Sequence, residues 1–352
     1  MSHEAYPLAS QNNRPAPSAP AIEVDGGVVD RRGPPDIMTE QAVLMIGFGG
    51  PTRSDEIRPF LDNVLRGRRV PRERIEEVAH HYELIGGRSP FNELTFRQAE
   101  GLRRLLEKEG PPVPVYVGMR NWHPLLAEVL ERMAGDGVRR AVGVILAPHQ
   151  GEASWGRYQE AVREARISVE EKLGRPAPTV DYCEPWFVHP DFVEAVADRV
   201  RRQWNRIPSR NRLRTRLLFT AHSVPSRFDI PYVDQLRKSC RAVASALEIP
   251  DWDLVYQSRS GGRRDPWLEP DVCDVIESLG KKKCPGVLLA PIGFVCDHVE
   301  VLYDLDVEAR EVAARCKMEF YRAQTVNDHP RFIRMLADVV RRALGGGVSR
   351  GG

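Results

Sequence analysis

The sequence lacks several patterns that would assign it to a common class. No two of its six cysteines have the CxxC spacing of a zinc or redox site, and their scatter is typical of reduced thiols in the cytoplasm. The glycine-rich turn at 49–51 lacks the GxGxxG spacing of a dinucleotide fingerprint. The net charge is only +2, which does not indicate nucleic acid as a partner. No apolar run approaches the ~20 residues of a membrane span, so we expect no integral membrane segment.

Both ends of the chain differ in composition from the middle. Residues 1–38 are rich in Pro, Ser, Asn, Gly and Arg without periodicity, and they do not resemble a secretory signal peptide. We expect a disordered leader there, and Met38 is an alternative start site. The glycine-rich residues 346–352 are predicted to form a flexible tail.

Between these ends, strand and helix patterns alternate. The apolar run at 42–48 indicates a buried strand, and similar runs recur, among other places, at 141–146, 217–220 and 286–290. A helical pattern follows each of them. This alternation predicts an α/β protein with parallel sheets, helices on both faces and two similar βαβ halves.

A row of carboxylates follows the strand at 286–290. The helical pattern that begins near Asp297 carries Glu300, Asp304 and Glu308, and residues four apart stay near one face of a helix. Apolar residues lie between these acids, so a fully solvated helix is not expected. The row predicts a cation path or a buried acid site, and a helix with one wet face is the alternative.

Three histidines each lie a few residues beyond a predicted strand. They are His149, His222 and His298, and the carboxyl ends of strands are where open α/β sheets bind ligands. His222 follows a strongly apolar strand, where a polar ring needs solvent or a partner. Facing Glu300, it would be a proton acceptor near neutral pH; with the carboxylates it could instead bind a divalent cation. A structural role is the alternative for each histidine.

Five segments together resemble the ferrochelatase family. They are IGGRSPFNELTFRQAE (85–100), VYVGMRNWHP (115–124), FTAHSVP (219–225), PWLEPDV (266–272) and PIGFVCDHVEVLYDLDVE (291–308). The resemblance extends over about 40–343. It implies an enzyme of haem biosynthesis that inserts Fe2+ into a porphyrin, in a cleft between two Rossmann-like domains.

The resemblance also implies domain limits. Domain I would span 39–200 and domain II 201–321, with a C-terminal helix within 322–345 that packs back on domain I.

The resemblance assigns roles to the acid row and its neighbours. His222 and Glu300 would face each other as the catalytic pair, and His222 would accept pyrrole protons or help to position the metal. The acid row would lie on a helix with π character. The implied iron ligands are His222, Glu300, Asp304 and Glu308, and the residues implied to support Glu300 from behind are Asp297 and His298.

A further set of residues is expected to contact the porphyrin. Apolar side chains would hold the flat ring and arginines would pair with its carboxylates. The set consists of Phe48, Arg66, Arg68, Tyr82, Ser89, Trp122, His149, Glu152 and Trp267. Phe48 stands where some relatives have a tyrosine that can ligate iron, and Glu152 is an unusual acid near the expected site.

The run RGRR at 66–69 resembles the branch of the family that metallates coproporphyrin III, which has four propionates where protoporphyrin IX has two. We therefore expect coproporphyrin III as the substrate. The alternatives are a protoporphyrin IX ferrochelatase, a cobalt chelatase acting on sirohydrochlorin, and a porphyrin carrier without catalysis.

Some relatives hold a [2Fe–2S] cluster on C-terminal cysteines, but no cysteine follows Cys316 here, so no permanently bound cofactor is expected. We expect a cytoplasmic monomer.

Overall fold

Two parallel sheets of four strands each form the centre of the fold, in a computed structural model that describes residues 40–67, 70–226, 230–259 and 266–345. The first sheet contains β1 (Gln41–Gly47), β2 (Val115–Met119), β3 (Arg140–Ile145) and β4 (Thr179–Tyr182). The second contains β5 (Arg216–His222), β6 (Trp252–Gln257), β7 (Gly286–Ala290) and β8 (Glu319–Arg322). Their orders, β2-β1-β3-β4 and β6-β5-β7-β8, repeat one connection pattern. The predicted α/β fold with two similar parallel sheets is confirmed.

Helices make most of the connections between these strands. They are α1 (Ile57–Leu65), α2 (Arg72–Leu84), α3 (Phe91–Glu109), α4 (Leu126–Gly135), α5 (Arg157–Leu173), α6 (Pro190–Trp204), α7 (Ser209–Arg212), α8 (Tyr232–Leu247), α9 (Val272–Lys281), α10 (Val299–Leu302), α11 (Arg310–Arg315) and α12 (Pro330–Gly345). The described residues also include two π turns, at Glu152–Gly156 and Asp304–Ala309. Within the described ranges, no helix combines the length and apolarity that a membrane span requires.

Apolar residues of the strands determine the layer order. Ala42 to Ile46 of β1 have no exposed surface, as expected for a strand with helices on both faces of its sheet. One face of the first sheet packs on α4 and α5. Residues of the other face, such as Met45, share a large apolar cluster with Phe219 of β5 and Leu288 of β7. A continuous core therefore joins the two sheets.

The last helix of each half packs on the sheet of the other half. Helix α6 follows β4 of the first sheet but contacts α8, β7 and β8. Helix α12 follows β8 of the second sheet but contacts α3 and β3, and it packs against α6. The chain limits of the two predicted domains stay a prediction, and the predicted leader and tail lie outside the described residues.

The carboxyl ends of β5, β6 and β7 meet at one edge of the second sheet because the three strands are parallel neighbours. Strand β5, predicted to end at Thr220, continues through His222. The helix predicted to start near Asp297 is made of α10, the π turn and α11, which we call the acid helix (299–315). This edge is where an open α/β sheet binds its ligands.

Candidate active site

His222 and Glu300 face each other at this edge. The distance between His222 Nε2 and Glu300 Oε1 is 3.8 Å, and the two side chains are 30% and 34% exposed. That separation is longer than a hydrogen bond, so both groups can still bind a third group. The structure thus brings together the pair that the sequence predicted.

Two contacts position His222, one through its ring and one through its backbone, so that the Nε2 atom points at Glu300. Nδ1 contacts the carbonyl oxygen of Ser223. A carbonyl only accepts, so Nδ1 carries the proton of a neutral ring and Nε2, the atom nearer Glu300, is the acceptor. The hydroxyl of Tyr232 donates to the carbonyl oxygen of His222 at 3.2 Å and fixes the backbone.

A glycine allows the chain to bring Glu300 close to β5. The amide of Gly293 donates to the carbonyl oxygen of Thr220 at 3.1 Å. A Cβ atom on Gly293 would lie 2.8 Å from the Cβ atom of Ala221, which is too close for any side chain. The turn before the acid helix therefore lies directly against the strand that ends in His222.

The end of β6 positions two of the acids. The side-chain amide of Gln257 donates to the carbonyl oxygen of Glu300, and the hydroxyl of Ser258 donates to the carboxylate of Asp304. Sequence analysis did not include Gln257 or Ser258 among the site residues. Their position at the carboxyl end of an apolar strand, which is also the position of His222, was the available signal.

The acid helix has the π turn that the family resemblance implied. The carbonyl oxygen of Tyr303 accepts from the amides of Val307 at 3.0 Å and Glu308 at 3.1 Å, and the second bond is the i→i+5 bond of a π turn. Four residues exceed one turn of an α-helix but fall short of one π turn. The mixture of the two therefore limits the angular drift between Glu300, Asp304 and Glu308.

A polar cavity of about 340 Å³ lies beside the π turn. Its lining includes Ser258, Asp271, Tyr303, Asp304 and Glu308. Burial, reinforced by the charges of Glu300 and Glu308, raises the pKa of Asp304 to about 8. Burial and the charge of Asp271 raise the pKa of Glu308. Such crowded acids favour the arrival of a cation, which would replace their protons.

The four predicted iron ligands do not form a preformed cage. In the described ranges, no three His, Cys, Asp or Glu side chains lie close enough together to hold a metal ion. His222 and Glu300 form a pair, and Asp304 and Glu308 continue along the helix toward the cavity. The geometry is that of an acidic row next to a histidine–glutamate pair.

Asp304→Asn is expected to stabilise the protein increasingly as the pH rises. The pKa of Asp304 in the folded state, about 8, lies above its ordinary value of 3.8, so folding takes up a proton between these pH values. This cost is absent below about pH 4 and complete above about pH 8, on the order of a few kcal/mol. Melting temperatures of the two proteins should coincide near pH 4 and diverge toward pH 8. The exposed Asp62→Asn variant is the control, and a constant difference across this range would contradict the prediction.

Asp297 binds residues near the end of the second half, and its predicted support of Glu300 stays a prediction. Its carboxylate accepts from Arg322 Nη1 at 3.0 Å, from Asn327 Nδ2 at 3.0 Å and from the amide of Thr325 at 3.3 Å. It therefore anchors the turn before the acid helix. These tertiary partners of Asp297 come 25 or more residues later in the chain.

His298 packs between two phenylalanines. Its ring centroid lies 6.0 Å from that of Phe91 and 4.8 Å from that of Phe294. Burial lowers the pKa of His298, which keeps the ring neutral. Its Nδ1 atom is buried and has no hydrogen-bond partner in the described part of the chain. Its predicted support of Glu300 stays a prediction.

Three of the predicted porphyrin contacts lie in one apolar cluster beside the site. Phe60 of α1 has edge-on contacts with Phe48 at 6.3 Å, Tyr82 at 6.0 Å and Trp122 at 6.1 Å between ring centroids. Val299, which precedes Glu300 in the acid helix, packs against the same cluster. We call this group of α1 and α2 residues with Phe48, Trp122 and Val299 the lid cluster. It places aromatic surface next to the His222–Glu300 pair.

The structure places His149 in the core, against the prediction of a porphyrin contact. It is 1% exposed, and its Nε2 atom is 2.9 Å from the hydroxyl of Ser239. Burial lowers its pKa to about 3, so it is a neutral core residue. Ser89 is also buried, and its hydroxyl accepts from the amide of Phe91 at 3.3 Å. This contact gives Ser89 a structural role at the start of α3.

The remaining predicted contacts are more exposed. Trp267 is half-buried and pairs with Pro225 in an isolated bridge. Glu152 is exposed at the first position of the other π turn. Arg66 is exposed and donates to the side-chain oxygen of Asn63 at 2.8 Å. Arg68 lies outside the described residues. Among the described residues, no contact joins Trp267, Glu152 or Arg66 to the His222–Glu300 pair, so the roles of all four residues stay predictions.

Solved structures with a similar fold include chelatases. The sirohydrochlorin chelatase SirB of Bacillus subtilis, solved with cobalt, matches with a TM-score of 0.52 at 12% identity, covering 88% of this chain and 97% of SirB. CbiX, an enzyme of sirohaem biosynthesis in denitrifying bacteria, matches with a TM-score of 0.50 at 12% identity, covering 86% and 99%. At these identities the likeness defines the fold, which is chelatase-like.

Sequence comparison defines the family. Residues 40–344 match the family model described as ferrochelatase. A coproporphyrin III ferrochelatase of Nocardia farcinica is 42% identical over 319 residues, covering 88% of this chain and 90% of the relative. A ferrochelatase of Rhodopirellula baltica is 42% identical over 305 residues, covering 86% of each. The chain belongs to the ferrochelatase family, as its motifs indicated.

Proposed function

We propose that this protein inserts Fe2+ into coproporphyrin III. The observation that carries the proposal is the His222–Glu300 pair, 3.8 Å apart at the carboxyl edge of the second sheet and continuous with the acidic row. Family membership supports iron and a porphyrin as the substrates. Relatives from Nocardia farcinica and Mycolicibacterium smegmatis, 42% and 39% identical, are named coproporphyrin III ferrochelatases, which supports the choice of porphyrin.

In the proposed reaction, the porphyrin loses two pyrrole protons as Fe2+ enters its centre. The Nε2 atom of His222 accepts one pyrrole proton, because Nδ1 already carries a proton and faces the carbonyl of Ser223. Since the ring is 30% exposed, it releases this proton to water and then accepts the second one. Glu300, on the opposite side of the 3.8 Å gap, attracts the ferrous ion and balances the charge of a protonated His222. Asp304 and Glu308 bind the ferrous ion before it reaches Glu300. Within the lid cluster, the half-buried rings of Phe48 and Trp122 provide apolar surface for the porphyrin macrocycle, and the buried rings of Phe60 and Tyr82 support them.

Turnover with two porphyrins tests this proposal. Anaerobic Fe2+ insertion should be followed by absorbance with coproporphyrin III and protoporphyrin IX in parallel. A strong preference for coproporphyrin III is the expected result. A preference for protoporphyrin IX would contradict the proposed choice of substrate. Tight porphyrin binding without turnover would instead identify a carrier.

The six free cysteines support a cytoplasmic location, and a monomer is part of the same proposal.

Changing Arg66 and Arg68 together to alanine is expected to weaken coproporphyrin III binding more than protoporphyrin IX binding. Arginine pairs with carboxylates, and coproporphyrin III has four propionates rather than two. We expect KM to rise about tenfold for the first porphyrin and about twofold or less for the second, in line with a lost charged hydrogen bond. The control is the Arg210→Ala/Arg214→Ala double variant in the exposed segment before β5. An equal rise in KM for both porphyrins would show that these arginines do not select the substrate.

A further inference from the structure

The lid cluster is tied to the acid helix by a ring stack that the proposed mechanism does not use. The ring of His81 in α2 lies parallel to the ring of Tyr303, with 3.6 Å between centroids and 11° between planes. This is a full face-to-face contact between a helix of the first half and the acid helix of the second. It is separate from the contact of Val299 with the lid cluster, which lies one helical turn earlier.

Tyr303 is also the residue at which the π turn begins. Its carbonyl oxygen accepts the amide of Glu308 at 3.1 Å, which is the bond that defines the wide turn. The next residue is Asp304, and Tyr303 lines the same cavity as Asp304 and Glu308. The position of the Tyr303 backbone therefore determines how Asp304 and Glu308 are placed along the row. A π turn competes with ordinary α-helical pairing, and here Val307 offers that pairing to the same carbonyl at 3.0 Å.

We propose that His81 is a positioning residue for the acidic row: by stacking on Tyr303 it holds the start of the π turn and so keeps Asp304 and Glu308 in register with Glu300. The inference rests on the proposed iron path. It predicts that the stack affects the use of iron and leaves porphyrin binding unchanged. The imidazole acts through its flat face, so another flat ring at the same position can replace it.

The neighbouring residue provides a matched control. His80 belongs to the same helix, but its side chain is 62% exposed and pairs with Glu83 at 3.2 Å. His80→Ala therefore removes the same chemical group from the same helix without touching the stack. His81→Ala removes the stack, and His81→Phe keeps a ring of similar size that can lie on Tyr303.

The first measurement is the exchange of backbone amides in the metal-free protein, followed by mass spectrometry on peptides that cover 303–310. We expect faster exchange in this segment for His81→Ala, with wild-type exchange for His81→Phe and His80→Ala. Peptides from α12 report any general loss of stability. Unchanged exchange in His81→Ala, or faster exchange in all three variants, would overturn the proposal.

The second measurement is steady-state iron insertion. We expect KM for Fe2+ to rise about two- to tenfold in His81→Ala, as a lost ring stack implies, while the affinity for porphyrin stays constant. His81→Phe should restore the wild-type value. A loss of porphyrin affinity, or a His81→Phe variant as impaired as His81→Ala, would overturn the positioning role. If the wild type metallates no porphyrin, the proposed function fails, whereas the exchange experiment still decides whether the stack holds the π turn.

Discussion

His222→Ala is expected to abolish metallation while porphyrin binding stays nearly unchanged. The ring supplies a nitrogen acceptor that faces Glu300 across the 3.8 Å gap, and a general base contributes about 10²- to 10⁴-fold to a rate. Binding should persist because the aromatic surface of the lid cluster belongs to other elements. A variant that loses turnover but keeps its porphyrin affinity has lost the catalytic step alone. A global folding defect would reduce both quantities.

The measurement is kcat for anaerobic Fe2+ insertion together with porphyrin affinity from fluorescence quenching. His80→Ala is the control, because this histidine is 62% exposed and pairs with Glu83 of its own helix. Wild-type turnover in the His222→Ala variant would refute the assignment of the base. Loss of porphyrin binding together with turnover would place His222 in the binding surface instead.

The sequence predicted that His222 and Glu300 face each other, because the patterns that indicate these residues are local. Glu300, Asp304 and Glu308 are spaced within one helical segment, and His222 follows an apolar strand directly. The position of a residue at the carboxyl end of a strand then decides which edge of the sheet it reaches. These residues can therefore be predicted from a short stretch of sequence together with the rule that parallel sheets bind ligands at the carboxyl ends of their strands.

The sequence did not predict contacts between residues that are distant in the chain. His149 follows a strand as His222 does, but Ser239 of α8, 90 residues later, covers it. Asp297 precedes the acid helix, but it pairs with Arg322 and Asn327 from the far end of the second half. A strand-end position predicts that a side chain reaches the ligand edge. It does not predict which helix packs over that side chain, because this depends on contacts that a single sequence does not reveal.

Replacing Arg322 with methionine is expected to be the most destabilising single change near the site. The guanidinium donates to Asp297 at 3.0 Å and also pairs with Asp306 of the π turn. The side chains of Arg322, Asp297 and Asp306 are 11%, 10% and 23% exposed, so little water is available to replace the lost partner. Removing one partner of a buried ion pair costs about 3–5 kcal/mol, because the remaining charge stays buried.

Urea denaturation of three variants separates the buried charge from the loss of packing. Arg310→Ala is the control, since Arg310 binds the same Asp306 at 3.3 Å but is 53% exposed, and we expect a loss of about 1 kcal/mol there. The triple variant Arg322→Met/Asp297→Asn/Asp306→Asn should recover much of the stability, because it removes the unpaired carboxylates with their partner. If the triple variant is no more stable than Arg322→Met, packing of the arginine stem, rather than charge, holds the acid helix. Recovery would instead show that this buried ion network holds the π turn, in addition to the His81–Tyr303 stack.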